Sequence, residues 1–340
     1  MATVESAPWP AGAWKQFLAD AVSDLDELLT LLDLDPSCLG DHADALRSAH
    51  SFALRVPRGF ITRMRRGDPD DPLLRQVLPI DREMIPVAGF TADPVGEITH
   101  PPSDGVLHKY RGRALVMVTG ACAIHCRYCF RRHFPYAEHA PENAAVRIAA
   151  DPEITEVILS GGDPLTVPNL RLERFVRSLA SIPRVRRLRI HTRLPIVLPQ
   201  RVDTTLASWI GDLDLPVVVV VHANHSNEID SDVRRALAAL DATGATLLNQ
   251  AVLLAGVNDS AGDLAELSET LFDAGVLPYY LHMLDPVQGA AHFEVSEGTA
   301  RRLHTELTTR LPGYLVPRLV REVEGAPAKV GVDLWTSQTF

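Results

Sequence analysis

The sequence predicts an α/β protein in which a parallel sheet curls into a partial (β/α)6 barrel after an N-terminal helical subdomain. Six apolar, strand-like runs alternate with amphipathic helical segments, and nearly every run ends in polar side chains. In an open doubly wound sheet such polar ends would spread along one edge, whereas in a barrel they converge at one end. Six strands that all end in polar residues favour the barrel or partial barrel.

The N-terminal part of the chain is predicted to be mainly helical. Apolar residues recur at helical spacing over 14–34 and 41–54, and a Pro-rich connector follows at 81–97. The strand–loop–helix pattern begins near residue 105. We predict an N-terminal helical subdomain with its connector at 1–104, the barrel at 105–312 and a C-terminal segment at 313–340.

The six predicted barrel strands are short apolar runs bounded by loops. They lie at 114–120, 156–161, 185–193, 216–223, 246–254 and 276–284. Three helical segments between them are clear, and two of these end at Gly244 and Gly275, where glycine commonly stops a helix. Alternation of buried-type strands with helices implies parallel pairing through right-handed crossovers.

The composition is that of a soluble globular chain. It has 340 residues, 46% of them hydrophobic, and a formal net charge of −10, which argues against a nucleic-acid groove. No apolar run approaches the roughly 18 residues of a membrane span, and the N-terminus lacks the basic start and apolar core of a secretory signal. We therefore predict a cytoplasmic protein with no membrane or nucleic-acid partner.

Three of the four cysteines lie within eight residues, directly after the first predicted barrel strand. Cys122, Cys126 and Cys129 have C-x3-C-x2-C spacing. Thiolates so close together in a large chain indicate metal binding or redox chemistry, and an iron–sulfur cluster suits them. A zinc site completed by His125 or His133, or three free thiols, are the alternatives.

The position of these cysteines resembles that in the radical S-adenosylmethionine (SAM) enzymes. In that family three cysteines ligate a [4Fe–4S] cluster, whose open iron binds SAM, and an aromatic residue such as Tyr128 precedes the last cysteine. The resemblance extends to "LSGGDPL" after the second strand. It implies that Gly161, Gly162 and Asp163 approach the methionine end of SAM.

Five segments narrow the resemblance to the lysine 2,3-aminomutases. They are "RYCFRRHF", "SGGDPL", "HANHSNE", "LLNQAVLLAGVND" and "LDPVQGAAHF", and the likeness covers roughly residues 10–335. It implies an isomerase that uses SAM and pyridoxal phosphate (PLP) to convert L-α-lysine to β-lysine. The sequence is most similar to bacterial members that make (R)-β-lysine for elongation factor P. This resemblance implies a lysyl-ligase that uses the product and an electron donor such as flavodoxin or ferredoxin.

A PLP enzyme requires a lysine that binds the cofactor covalently, and the chain has only Lys15, Lys109 and Lys329. Lys329, in "EVEGAPAKVG", matches the PLP lysine of the family. The segment "HKYRGR" matches the family's contacts to the PLP phosphate, which implies that Lys109, Tyr110 and Arg113 bind it.

The resemblance also assigns substrate and SAM contacts. Arg131 matches the arginine that binds the substrate carboxylate, a role that suits its planar fork. Asp285 and Glu322 match the acids that hold the lysine ε-ammonium, although the family commonly has Asp where this chain has Glu322. His222 and Gln250 match contacts to SAM.

Three other functions remain open. A related aminomutase could act in lysine catabolism or on glutamate, but two acidic substrate residues favour a cationic side chain. A radical SAM enzyme without PLP would have no need of Lys329. A non-catalytic Cys3His zinc module would leave the glycine-rich loop and the polar strand ends unexplained.

Overall fold

A computed structural model describes residues 8–40, 52–99, 105–136 and 143–332. In these ranges the chain forms one nine-stranded mixed sheet with helices packed against it. The strands follow one another in the sheet in the same order as in the sequence. They are β1 (Val106–Tyr110), β2 (Arg113–Thr119), β3 (Glu156–Gly161), β4 (Arg187–Thr192), β5 (Val217–Val221), β6 (Thr246–Val252), β7 (Leu277–His282), β8 (Arg318–Arg321) and β9 (Val330–Gly331).

Strands β2 to β8 are all parallel, and one antiparallel strand flanks them on each side. The six predicted strands correspond to β2 to β7 and are confirmed. β8 adds a seventh parallel strand from the segment that follows residue 312. It was not predicted because its four residues, "RLVR", carry too short an apolar pattern.

The sheet is curled, although its two edge strands do not pair. β1 and β9 stand at opposite ends of the strand order. Yet the Tyr110 hydroxyl, at the end of β1, donates a hydrogen bond to the Glu322 carboxylate, directly after β8. A flat sheet would separate these groups by the width of about seven strands, at about 4.8 Å per strand. The sheet is therefore an open partial barrel, as predicted.

The helices occupy the crossovers between strands and the N-terminal segment. Ser260 and Ser296 cap the two longest through hydrogen bonds from the backbone N–H groups of Asp263 and Thr299. The helices are α1 (Trp14–Ala19), α2 (Leu25–Leu32), α3 (Arg58–Ile61), α4 (Pro72–Arg75), α5 (Ala144–Ala150), α6 (Asn169–Ala180), α7 (Leu194–Val197), α8 (Thr204–Gly211), α9 (Ser231–Asp241), α10 (Ala261–Asp273) and α11 (Glu297–Arg310).

The clear helical predictions are confirmed with small changes at their ends. The pattern over 14–34 forms α1 and α2, and the three crossover segments form α6, α9 and α10. Most of the predicted segment 41–54 lies outside the described residues. No helix in the described ranges is long and apolar enough to cross a membrane.

The N-terminal segment packs onto the barrel at widely separated points. Trp9 forms a parallel bridge with Asp203, and Thr91 forms another with Val287. The buried Gln76 side chain donates a hydrogen bond to Glu228, with an Nε2–Oε1 distance of 3.1 Å. These contacts join the N-terminal segment to the connections that follow β4, β5 and β7.

Candidate active site

The three predicted cluster cysteines share the loop after β2, called here the cysteine loop (residues 120–136). All three side chains are half-buried free thiols. The N-terminal segment anchors the loop, because the backbone N–H of Arg127 donates to the Gln76 carbonyl at 2.8 Å. The Arg127 guanidinium also forms a buried ion pair with Glu83. Three soft donors are thus held on one short, braced loop.

Two of the three thiols, those of Cys122 and Cys129, have raised pKa values. Burial, and then the nearby Cys126, raise the pKa of Cys129 to about 11. Burial also raises the pKa of Cys122 well above its ordinary value, with a further contribution from Cys129. Bound iron would offset this cost, because metal binding replaces the thiol protons. The donor set therefore fits a cationic iron–sulfur cluster.

The two histidines considered as a fourth zinc ligand face backbone carbonyl groups instead. His125 Nδ1 lies 2.7 Å from the Ala53 oxygen, and His133 Nε2 lies 3.2 Å from the Gln288 oxygen. Within the described ranges, no three His, Cys, Asp or Glu side chains are grouped so that they could hold one metal ion.

The glycine-rich turn after β3 packs directly against the backbone of the cysteine loop. Gly161 has a φ of +117°, and a Cβ there would lie 2.5 Å from the Thr119 carbonyl oxygen. A Cβ on Gly162 would lie 2.4 Å from the Ala121 carbonyl oxygen. Only glycine allows the two segments to approach so closely. The turn therefore lies directly against the end of β2 and the start of the cysteine loop.

The carboxylate of Asp163 bonds within the protein. It accepts hydrogen bonds from Thr192 Oγ1 at 2.8 Å, from the Arg193 N–H at 2.7 Å and from the Leu165 N–H at 3.0 Å. Burial nevertheless raises the pKa of Asp163 to about 6. The side chain thus joins the glycine-rich turn to the end of β4.

Arg131, the predicted carboxylate-binding residue, is buried and forms a bidentate ion pair with Glu97. Its Nε and Nη2 atoms donate to the two Glu97 oxygens at 2.6 and 2.9 Å. Its Nη1 donates to Ser160 Oγ at 3.1 Å and to the Gly161 carbonyl at 3.3 Å. Glu97 was missed at the sequence level, since an acid in a Pro-rich connector carries no pattern that pairs it with a distant arginine.

The predicted PLP lysine lies beside two other predicted residues. Lys329 Nζ donates to Glu322 Oε2 at 2.7 Å, and the other Glu322 oxygen accepts the Tyr110 hydrogen bond. Burial, and then the bond to Glu322, raise the pKa of Tyr110 well above its ordinary value. The Arg113 guanidinium lies 5.2 Å from the centre of the Tyr110 ring. Lys109 lies in β1, and its side chain is outside the described part.

The remaining predicted residues lie on or after neighbouring parallel strands. His222, just after β5, stacks on Tyr128, and its Nε2 lies 2.9 Å from the Tyr128 hydroxyl. Gln250 is half-buried in β6, in register with Tyr280 of β7. Asp285 lies in the turn three residues after β7. Carboxyl ends of parallel strands lie on one side of the sheet, so these residues belong to the same end as the cysteine loop.

Two further histidines lie at the ends of β4 and β7. The Nε2 atoms of His191 and His282 are buried without a hydrogen-bond partner in the described part of the chain. Burial, and then Lys329, lower the pKa of His282 to about 3, and burial lowers that of His191 well below its usual range. Both imidazoles are therefore neutral at physiological pH. Their place at strand ends was noticed in the sequence, but their closeness to Lys329 was not.

Arg193, at the end of β4, connects the cysteine loop to a buried polar network. It donates to Cys126 Sγ at 2.6 Å and to the Tyr128 hydroxyl at 2.7 Å. Its other terminal nitrogen donates to Gln76 and Glu228. In the sequence this residue was only one of several polar strand ends.

A curled, open parallel sheet with three cysteines on the loop after its first parallel strand defines the radical SAM class of enzyme folds. Proteins named L-lysine 2,3-aminomutase match nearly the whole chain. The Escherichia coli protein is 52% identical, with 96% of each chain covered, and the Haemophilus influenzae protein is 46% identical, with 93% of this chain and 94% of the relative covered. The Clostridium subterminale protein is 31% identical over 97% of this chain and 79% of its own. The chain belongs to the lysine 2,3-aminomutase family.

The comparisons with family models and with solved structures do not extend this assignment. No family model matches the chain. Among solved structures, Streptococcus suis SuiB bound to S-adenosylmethionine is similar at a TM-score of 0.47 and 13% identity, with 63% of this chain and 51% of SuiB covered.

Proposed function

We propose that the chain is a radical SAM, PLP-dependent lysine 2,3-aminomutase that converts L-α-lysine to β-lysine. The observation that carries the proposal is the position of Lys329. It is one of three lysines in the chain, and the ion pair with Glu322 and the Tyr110 bond hold it to the same curled sheet that carries the three cysteines. Family membership supports the reaction, and the contacts of Lys329 support its role as the PLP residue.

The cofactors supply radical generation from SAM and stabilisation of the migrating amino group by PLP. In the proposal, Cys122, Cys126 and Cys129 hold three irons of a [4Fe–4S] cluster, and the fourth iron is left for SAM. The backbone of Gly161 and Gly162 would border that position, because Gly161 lies against the end of β2 and Gly162 against the start of the cysteine loop. His222 and Gln250 would contact SAM from the neighbouring strands.

Lys329 is the residue that would bind PLP covalently. Lys329 Nζ lies 2.7 Å from Glu322 Oε2, and proton transfer to that carboxylate would free the amine for reaction. Arg113 and Tyr110, close together at the β1–β2 turn, would receive the phosphate with Lys109.

The substrate would be oriented by opposite charges at its two ends. Arg131 would bind the substrate carboxylate. Glu97 would then have to share or release the guanidinium N–H groups with which it is now paired. Asp285 and Glu322 would hold the ε-ammonium, so Glu322 serves both the PLP lysine and the substrate in this proposal. Two acids favour lysine over glutamate as the substrate.

We further propose (R)-β-lysine as the product and elongation factor P as its destination, through a lysyl-ligase. A flavodoxin or ferredoxin would reduce the cluster, and the cytoplasm is the proposed location. The proposed division of the chain is 1–104, 105–312 and 313–340, with β8 and β9 as the part of the last segment that completes the sheet.

The test is an anaerobic assay of the reconstituted protein with L-lysine, SAM, PLP and a reductant, followed by chiral analysis of the product. Borohydride reduction and peptide mapping should place PLP on Lys329. Lys329→Ala should lose both the label and β-lysine formation. Lys15→Ala, at an exposed position on α1, is the matched control and should keep both. Failure of the wild-type protein to form β-lysine would refute the proposal.

A further inference from the structure

Arg193 is a buried cation with a sulfur partner. The residue is 7% exposed, and its Nη1 atom lies 2.6 Å from Cys126 Sγ and 2.7 Å from the Tyr128 hydroxyl. Its Nη2 atom lies 2.6 Å from Gln76 Oε1 and 3.0 Å from Glu228 Oε2. One guanidinium thus spans a carboxylate on one side and a predicted cluster ligand on the other.

Contacts from three parts of the chain fix the position of this guanidinium. The backbone N–H of Arg193 donates to Asp163, which belongs to the glycine-rich turn. Glu228, which is fully buried, accepts hydrogen bonds from the Asn224 N–H at 2.8 Å and from Gln76 Nε2 at 3.1 Å. Because Glu228 is held in this way, Arg193 has little freedom to turn from Cys126.

The charges in this network are matched to an anionic sulfur. Glu228 compensates Arg193 in a buried ion pair, and a thiolate at Cys126 adds a second negative group on the opposite side of the guanidinium. A sulfur bonded to iron still accepts hydrogen bonds, and such bonds, with nearby charge, set the reduction potential of a cluster. A positive group at short distance favours the reduced state, which carries one more electron.

We infer that Arg193 is a positioning residue for the cluster. It fixes the direction of the Cys126 sulfur and raises the reduction potential through a charge-assisted hydrogen bond, and Glu228 moderates this effect. The inference rests on the proposed function, since it requires the three cysteines to bind a [4Fe–4S] cluster. It adds a residue pair, Arg193 and Glu228, to the groups that control electron transfer to SAM.

The test is a potentiometric titration of the reconstituted full-length protein without SAM, followed by electron paramagnetic resonance, with iron and sulfide content measured in parallel. Arg193→Gln removes the charge and should lower the reduced-to-oxidised ratio about tenfold at a fixed potential, equivalent to about 59 mV for one electron. Arg193→Lys keeps the charge opposite Glu228 but cannot span both partners, so a smaller shift of the same sign is expected.

Two more variants separate an electrostatic role from a structural one. Glu228→Gln leaves the cation at Cys126 and removes its counter-charge, so the potential should rise, opposite to the Arg193 variants. Arg189→Gln is the control: Arg189 lies on β4, which ends directly before Arg193, and pairs with Glu156, with an Nε–Oε1 distance of 2.8 Å. The reduction potential of the cluster in the Arg189→Gln protein should equal that in the wild type.

The outcomes distinguish the two proposals. If both Arg193 variants have full iron content and the wild-type potential, the inference is wrong and the proposed function stands. If Arg193→Gln and Glu228→Gln shift the potential in the same direction, Arg193 has only a structural role and the inference is also wrong. If the wild-type protein takes up no four-iron cluster, the proposed function and the inference fail together.

Discussion

Replacement of Gly162 by alanine tests whether the glycine-rich turn must lie against the cysteine loop. The added Cβ would lie 2.4 Å from the Ala121 carbonyl oxygen, 2.7 Å from the Gly120 carbonyl carbon and 2.8 Å from the Gly120 oxygen. All three distances are well inside the roughly 3.5 Å at which heavy atoms make favourable contact. The three atoms belong to the backbone, so no flexible side chain can turn away to make room.

The cost follows from what must move. Separating the two segments strains a packed region, which typically costs about 1–3 kcal/mol. The movement would also lengthen the hydrogen bond from the Gly162 N–H to the Thr119 oxygen, now 2.7 Å, whose loss costs about 0.5–1.5 kcal/mol. We therefore expect Gly162→Ala to lower the free energy of unfolding by about 2–4 kcal/mol.

Urea unfolding of the ligand-free protein, followed by circular dichroism at 25 °C, measures this change. Gly298→Ala is the matched control, because a Cβ there has no heavy atom within 4 Å and the site lies in the first turn of α11. It should be neutral or slightly stabilising, since alanine suits a helix better than glycine. A Gly162→Ala protein within about 0.5 kcal/mol of the wild type, a change ordinary for surface sites, would refute the packing argument.

Two further stability predictions follow from buried charge. Glu97→Ala leaves Arg131 without its ion-pair partner and should lower the free energy of unfolding in urea by about 3–5 kcal/mol. Glu27→Ala, in an exposed pair with Arg58, should lower it by less than about 1 kcal/mol. Equal losses in the two variants would contradict the burial assigned to the Arg131–Glu97 pair. Burial lowers the folded-state pKa of His282 from 6.5 to about 3, so its contribution to stability is complete above pH 6.5 and is lost as the pH falls toward 3. Unfolding free energies measured between pH 7.5 and 4.5 should fall, and the fall should be smaller in His282→Gln; an equal fall in both proteins would show that His282 is not the group.

Local sequence patterns were sufficient to predict the six central strands, β2 to β7. Each is five to seven residues long, with apolar residues in a run or in alternation and polar residues at or after its end, and parallel pairing follows from the helices between them. β8 and β9, with four and two residues, are too short for such a pattern. Their place in the sheet depends on hydrogen bonds to β7 and to each other, which no local spacing reveals.

Some residues of the candidate site could also be predicted from local sequence, and others could not. Lysine scarcity and the cysteine spacing drew attention to Lys329 and the three cysteines. The structure then places Lys329 beside Glu322 and Tyr110, and Tyr110 and Glu322 are 212 residues apart in sequence. Glu97 and Arg193 escaped notice because their importance lies in partners 34 and 67 residues away. Single polar residues in connectors and at strand ends are too common to be assigned such partners from sequence.

The order of the strands has a consequence for how the protein assembles during synthesis. Each parallel strand pairs with the strand made just before it, so the sheet can grow as the chain leaves the ribosome. The N-terminal segment is made first, but its partners come much later: Trp9 bridges Asp203, and Thr91 bridges Val287. These two bridges of the N-terminal segment can therefore form only after β4 and β7, respectively, have been made. The cysteine loop has late partners of its own, because the bonds of Arg132 to Gly289 and of His133 to Gln288 can form only after β7 has been made.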